Sequence, residues 1–280
     1  MIPPFVHLAT LLASALAPRT SDSPNAHDIH TLYVIVEIIA VPIFLIVEGT
    51  LIYSIVKFRR RRGAPEPIPI HGNAPLEIGW TIAAIVIVIG IATVTFFYLP
   101  KIQDPARSEP TGLASLAGQD YAVIGQPAPP GGKSLRIDVN GQQYIWRFDY
   151  VTEKPLTEGR PVYAYTQMVV PTHTTVVLYI HSSDVIHSWW VPQLGGKSDA
   201  VPGHTNQTWF RIGKPGLYRG QCAELCGENH ADMRAEVRAV PPDQFQAWVT
   251  QQRNLILASQ KALAAMRKAG IGNPLPKGSQ

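Results

Sequence analysis

Hydrophobic positions are distributed unevenly along this 280-residue chain. From Tyr33 to Val56 and from Ile78 to Tyr98 the sequence is apolar almost without interruption. Each run suffices for a helix that crosses a bilayer, which takes about 20 residues. Between them, Lys57-Phe58-Arg59-Arg60-Arg61-Arg62 concentrates cations in a short loop. Positive loops stay on the cytoplasmic side, so the pattern predicts two spans, with the N-terminus and everything after Leu99 facing outward. An arginine run can also mark nucleic-acid binding. Directly after a span it is explained by topology, and no nucleic-acid partner is expected. A shorter apolar stretch, Phe5 to Leu16, ends in Ala15-Leu16-Ala17 and looks like a signal peptide, although it has no positive n-region. Cleaved or retained, it leaves the topology unchanged. Glu37 and Glu48 interrupt the first span eleven residues apart. That is close to three helical turns, so both project from one face. Acids facing lipid are costly, and this face is expected to meet another protein.

After the second span the pattern changes. Pro100 to Lys133 is rich in Pro, Gly and small residues and predicts a surface connection with little regular structure. From Ser134 onward, short β-forming runs alternate with turn signals. Examples are Leu135–Val139, Gln143–Tyr150, Thr175–Ile180, Gln207–Ile212 and Met233–Val240. The turns are Asn140-Gly141, Gly195-Gly196, Pro202-Gly203 and Pro215-Gly216. This predicts an all-β Greek-key sandwich or barrel. Pro241-Pro242-Asp243 then opens a helix, with Phe245, Trp248, Val249, Ile256 and Leu263 at helical spacing and Gly270 and Pro274 closing it. The expected divisions are an N-terminal segment over 1–29, a membrane hairpin over 30–100, a connection over 101–133, a β domain over 134–240, and a C-terminal helix and tail over 241–280.

The chemistry is concentrated late in the chain. Cys222-Ala223-Glu224-Leu225-Cys226-Gly227-Glu228-Asn229-His230-Ala231-Asp232-Met233 spaces two thiols, an imidazole and a thioether as C-x3-C-x3-H-x2-M, and these are the chain's two cysteines. Thiolate, imidazole and a distant thioether are soft donors suited to copper, whereas a closed structural zinc site has no use for the methionine. A plain disulfide is the alternative outside the cytoplasm. A mononuclear blue-copper site needs one cysteine. Two bridging thiolates can hold two copper ions, each needing a histidine. His230 is one. Asp184-Val185-Ile186-His187-Ser188-Trp189 offers a second on another loop. A lone His187 would more often be structural, and His71, His173, His181 and His204 read as ordinary surface or loop residues.

The pair DVIHSWWVPQLGGKSDAVPG and GLYRGQCAELCGENHADM resembles the binuclear-copper domain of cytochrome c oxidase subunit II, with both motifs in order. The resemblance extends through the membrane part, over most of residues 28 to 250. It implies a cupredoxin-like fold behind a two-helix transmembrane hairpin. It also implies a binuclear copper centre with His187, Cys222, Cys226, His230 and Met233 as side-chain ligands and the Glu224 carbonyl as a further one. The Glu224 carboxylate would then reach a magnesium or manganese ion shared with subunit I, since hard cations take oxygen donors. The implied partners are subunit I with its haems, other oxidase subunits, the membrane and a cytochrome c donor. The implied role is to pass electrons from that donor to subunit I, which reduces oxygen to water and translocates protons, in a bacterial plasma membrane.

Three positions refine the resemblance. Glu77, in Leu76-Glu77-Ile78-Gly79-Trp80-Thr81, matches a glutamate at the cytoplasmic mouth of a proton channel in the family; helix capping is the alternative. In Gly141–Tyr150 the family's surface tryptophan, where electrons arrive, is replaced by Tyr144, and Trp146 matches a second tryptophan. Both are candidates for the electron-input contact, with core packing as the alternative. Asp149 and Asp184 match part of an acidic docking face. Yet from Lys101 onward there are 18 Lys and Arg against 14 Asp and Glu. A strongly basic cytochrome is steered weakly to such a surface, which points to a less basic donor or one held in a supercomplex. The related alternatives are the second subunit of a copper-containing nitric oxide reductase and, in another class, a membrane-anchored copper-delivery protein. Delivery requires exposed, exchangeable ligands. Nitrous oxide reductase is disfavoured by the hairpin, and quinol oxidases lack the copper ligands. The sequence contains no C-x2-C-H for a fused haem c.

Overall fold

The computed structural model describes residues 21–59, 69, 71–113, 134–151 and 162–269. The signal-like stretch, Arg60 to Arg62, Gly270 and Pro274 fall outside these residues. The chain divides into two compact units, one containing residues 28–102 and the other residues 20–27 together with everything from Gln103.

The first unit holds all but the first turn of helix α1 (Pro24–Lys57) and all but the last residue of helix α2 (Ala74–Gln103). Side chains such as Phe44, Ile46, Val86 and Phe96 stay exposed along them. A long helix that exposes apolar side chains all round is matched to lipid, and the two helices are membrane spans. Glu37 and Glu48 are both half-buried. The start of α2 is closed reciprocally. The Asn73 side chain accepts the Leu76 N–H at 3.3 Å, and Glu77 Oε1 accepts the Asn73 N–H at 3.1 Å. Two donors without partners in the helix are thereby satisfied.

The second unit is a sandwich of two five-stranded sheets. One has the order β3 (Val162–Tyr165), β2 (Ile145–Tyr150), β1 (Ser134–Gln142), β5 (Thr175–Ser182), β8 (Asn206–Arg211). The other runs β4 (Gln167–Pro171), β10 (Arg234–Val240), β9 (Gly216–Cys222), β6 (His187–Trp190), β7 (Ser198–Ala200). β1 lies parallel to β5 and β10 parallel to β4, while the other pairs are antiparallel. Alternation explains the burial. Leu135, Ile137 and Val139 of β1, with Val176, Leu178 and Ile180 of β5, fill the space between the sheets. On the outer face Val177, Tyr179 and Trp209 form a separate cluster closed by Ala106, and the Arg136 guanidinium lies 4.0 Å above the Tyr179 ring.

Several elements differ from the sequence pattern. The turn expected at Asn140-Gly141 falls instead at Gln143-Tyr144, whose peptide bond is cis. Gly141 continues β1, and its glycine answers a different need: a Cβ there would lie 3.0 Å from the His187 ring. Strands β3, β4, β6, β7 and β9 add to those expected. Residues 104–113 have no helix or strand, yet they are not a free surface connection. Leu113 enters the core, and the Thr175 hydroxyl donates to the Ala106 carbonyl at 2.6 Å. His173 is not an ordinary loop histidine either, since its Nδ1 lies 2.5 Å from Glu109 Oε2. Helix α3 (Pro242–Lys268) buries Phe245 and Ile256 and half-buries Trp248 and Val249, but Leu263 is exposed. Helical spacing alone does not tell where the supporting sheet ends.

Tyr150 stitches the two sheets. It is fully buried on β2; its hydroxyl donates to the Val169 carbonyl of β4 and accepts the Val169 N–H, both at 2.8 Å. Burial raises its phenol far above the ordinary range, so the hydroxyl keeps its proton. Tyr150→Phe leaves a buried N–H and C=O without partners, and should cost about 1–3 kcal/mol, measured by denaturant unfolding of the purified protein. A loss within error of zero would show that the bond does not join the sheets energetically.

Candidate metal centre

The two motifs meet because β6 and β9 are neighbours. In their antiparallel register Trp189 faces Cys222 and Trp190 faces Gln221. Two further bonds fix the loops that leave these strands. The Cys222 N–H donates to the Met233 carbonyl at 2.9 Å, and the Ala223 N–H donates to the Ser188 carbonyl at 2.8 Å. A short 3-10 helix, His230–Asp232, carries the chain into β10 and sets the second imidazole and the thioether under the same loop.

The donors form a continuous cluster. His187 Nδ1 lies 3.9 Å from Cys222 Sγ, Cys222 Sγ lies 3.9 Å from Cys226 Sγ, and Cys226 Sγ lies 3.5 Å from His230 Nδ1. Met233 Sδ is 3.9 Å from Cys226 Sγ, and the Glu224 carbonyl is 3.2 Å from Cys222 Sγ. His187, both cysteines and Met233 are buried, His230 is half-buried, and Glu224 is exposed. Both thiols are free. Among the described residues, His187, Cys222 and Cys226 are the cluster able to hold a metal, with ligand atoms all within 4.8 Å of one another.

The donor chemistry fits a pair of soft ions. His187 and the Glu224 carbonyl lie towards Cys222, while His230 and Met233 lie towards Cys226. The two sulfurs lie side by side, each beside an imidazole nitrogen, and thiolates so placed are suited to sharing soft ions. Burial, followed by the neighbouring Cys222, pushes the Cys226 thiol up to about 11. At neutral pH it is protonated without metal, and a soft cation displaces that proton on binding.

Asp184 orients the first imidazole. Its Oδ1 lies 2.8 Å from His187 Nε2. Partial burial acts to raise its carboxyl, but hydrogen bonds from the Gln143 N–H, His187, the Val185 N–H and the Ser182 hydroxyl overcome this and lower it to about 2. An ionised acceptor there keeps the proton on Nε2 and leaves the Nδ1 lone pair facing Cys222.

The other sequence candidates are placed as follows. Trp146 is fully buried, with its ring centroid 5.9 Å from that of His187, and has no surface to offer a partner. It forms a wall behind the imidazole, the core-packing alternative for this position. Tyr144 is half-exposed, and its hydroxyl accepts the Glu228 N–H at 3.1 Å. Glu77 belongs to the other compact unit, where it caps α2. Sequence reasoning missed the apolar rim. Leu225, between the cysteines, is 79% exposed, and Ile186, beside His187, is 48% exposed. An apolar residue between two polar ligands was the available signal.

Residues 135–240 match the family described as the periplasmic domain of cytochrome c oxidase subunit II, and residues 13–97 match its transmembrane domain. The chain is 35% identical to cytochrome c oxidase subunit 2 of Alkalihalophilus pseudofirmus, over 84% of this chain and 61% of that one. It is also 35% identical to the Cereibacter sphaeroides protein of the same name, over 84% of this chain and 79% of that one. Among solved structures, the periplasmic domain of subunit II of cytochrome oxidase from Bradyrhizobium japonicum is 31% identical, with a TM-score of 0.39, covering 44% of this chain and 95% of that one. The two family matches together span most of the chain, and it belongs to the cytochrome c oxidase subunit II family.

Proposed function

We propose that this chain is the electron-accepting subunit of a respiratory haem–copper oxidase. It takes electrons from cytochrome c at a copper pair held by His187, Cys222, the Glu224 carbonyl, Cys226, His230 and Met233. It passes them to subunit I for reduction of oxygen to water coupled to proton translocation. The observation that carries this reading is the pair of free, buried thiols 3.9 Å apart, each beside an imidazole nitrogen. Bound there, a copper pair would supply a one-electron couple. The protein's own contribution is rigidity. Both ligand loops are pinned to strand ends, His187 is held by Asp184 on one side and Trp146 on another, and Met233 has no exposed surface. Donors that move little keep the reorganisation cost of each transfer low.

The surface bears on the donor. Asp149 is paired with the Arg147 guanidinium at 2.9 Å, which offsets its charge, so the exposed and ionised Asp184 beside its neutral imidazole is the one member of that face left as a net anion. Ile186 and Leu225 present apolar surface beside the ligands. These facts support a donor of low positive charge, or one held in a supercomplex. With Trp146 buried, Tyr144 is the aromatic group available to it. The exposed Glu224 carboxylate suits a magnesium or manganese ion completed by subunit I, which bound manganese would report through its own resonance. The basic loop supports an outward-facing β unit and a cytoplasmic Glu77.

Two variants of the assembled complex test these roles. Tyr144→Ala should slow stopped-flow reduction of the metal centre by the native cytochrome about tenfold or more, which is about 1.4 kcal/mol in barrier, while onward transfer to haem stays unchanged. Unaltered donor kinetics in a folded variant would remove Tyr144 from the input route. Glu77→Gln keeps the shape of the side chain but cannot carry a proton. It should slow turnover and proton uptake on the order of 10²-fold, with the optical spectrum of the metal centre intact. Normal proton uptake would leave Glu77 with its capping bonds alone.

A further inference from the structure

We infer that Gln143 is a positioning residue that ties the two ligand loops into a single cradle. The inference rests on reading the cluster as a binuclear centre, and it extends that reading to what fixes one half relative to the other. The loop that carries Asp184 and leads into His187 at the start of β6, and the Cys222–Met233 loop that leaves β9, are both contacted by the two-residue turn between β1 and β2. From that turn the Gln143 backbone N–H donates to Asp184 Oδ2 at 2.7 Å, while Asp184 Oδ1 holds His187 Nε2 at 2.8 Å. The Gln143 side-chain amide reaches the other way and donates to the Cys226 carbonyl at 2.6 Å. One residue thus touches the carboxylate that orients the first imidazole and the backbone of the second bridging cysteine.

The neighbours of Gln143 are shaped to this turn. Gly227 follows Cys226 at φ +132°, and a Cβ there would lie 2.6 Å from the Tyr144 hydroxyl and 3.0 Å from Gln143 Nε2. The left-handed backbone and the missing side chain both favour glycine. The Glu228 N–H donates to that hydroxyl at 3.1 Å, adding a second bond between the turn and the cysteine loop. At the other end of the turn, Gly141 lets β1 run against the His187 ring. A rigid two-residue turn bonded on both sides transmits a displacement of one loop to the other. Each bond lies near the surface and adds little to global stability; what it sets is the relative position of two donor groups.

The test compares the full chain in detergent with Gln143→Ala and Gln143→Glu, the latter keeping the length but losing the donor towards Cys226. Hydrogen exchange on metal-free protein should accelerate about fivefold in both variants, as expected for loss of one net hydrogen bond. The acceleration should appear in residues 183–190 as well as 226–230, although the side chain touches only the second loop. Copper-loaded variants should release metal to a chelator about tenfold faster, the scale of lost outer-sphere partners, with an unchanged melting midpoint. Faster exchange confined to the cysteine loop overturns the inference, as does wild-type behaviour of Gln143→Glu. If the wild type takes up a single copper ion while exchange still rises in both loops, the binuclear reading fails and the clasp stands.

Discussion

The pairing of β6 with β9 is the contact on which the centre depends. Its register sets Trp189 opposite Cys222 and so puts the first imidazole beside the first thiol. A slip of one residue would turn Cys222 to the opposite face of the sheet and remove it from the cluster. The pairing is permitted by Gly220, because any Cβ there would lie 1.9 Å from the Trp190 carbonyl. β9 can therefore approach β6 closely only with glycine at that position. The remaining sandwich serves this contact. Trp189 stacks on Phe210 from the facing sheet, and Tyr150 joins the sheets on the other side of the core.

From that contact the electrostatics follow. Burial and the thiol beside it favour the neutral form of Cys226. The cluster is thus poised to exchange protons for soft cations, and an ionised Asp184 sits behind the imidazole to keep the correct nitrogen available. The same burial that makes thiolates costly without metal excludes water from a loaded site. Low reorganisation and selectivity for soft ions therefore share one cause, the dry and well-fastened ligand corner.

The sequence made the ligands legible and left their fastening hidden. Cys222, Cys226, His230 and Met233 announce themselves because only their side-chain chemistry matters and it falls within a single loop. β1 and β10 could be read because apolar residues alternate there with polar ones, and β5 because it is a continuous β-forming run, Thr-Val-Val-Leu-Tyr-Ile. β6, β7 and β9 could not, since His-Ser-Trp-Trp, Ser-Asp-Ala and Gly-Leu-Tyr-Arg-Gly-Gln-Cys show neither strong alternation nor a β-branched run. Their strand character comes from pairing. Gly141 resembled a turn residue because close approach to a ring and a tight turn select glycine for the same missing Cβ. Gln143 gave no signal at all: its partners are a backbone carbonyl and a carboxylate forty-one positions away. Trp146 and Tyr144 looked alike in sequence, and only the sandwich separates the buried wall from the half-exposed contact.

The central claim is that both thiolates serve two metal ions at once. Electron paramagnetic resonance of the full chain loaded with copper tests it most directly. One unpaired electron shared over two copper nuclei should give a seven-line hyperfine pattern, as two equivalent nuclei of spin 3/2 require, at a stoichiometry of two coppers per chain. Serine at either Cys222 or Cys226 should abolish it. A four-line spectrum from one isolated copper in the wild-type protein would contradict the account.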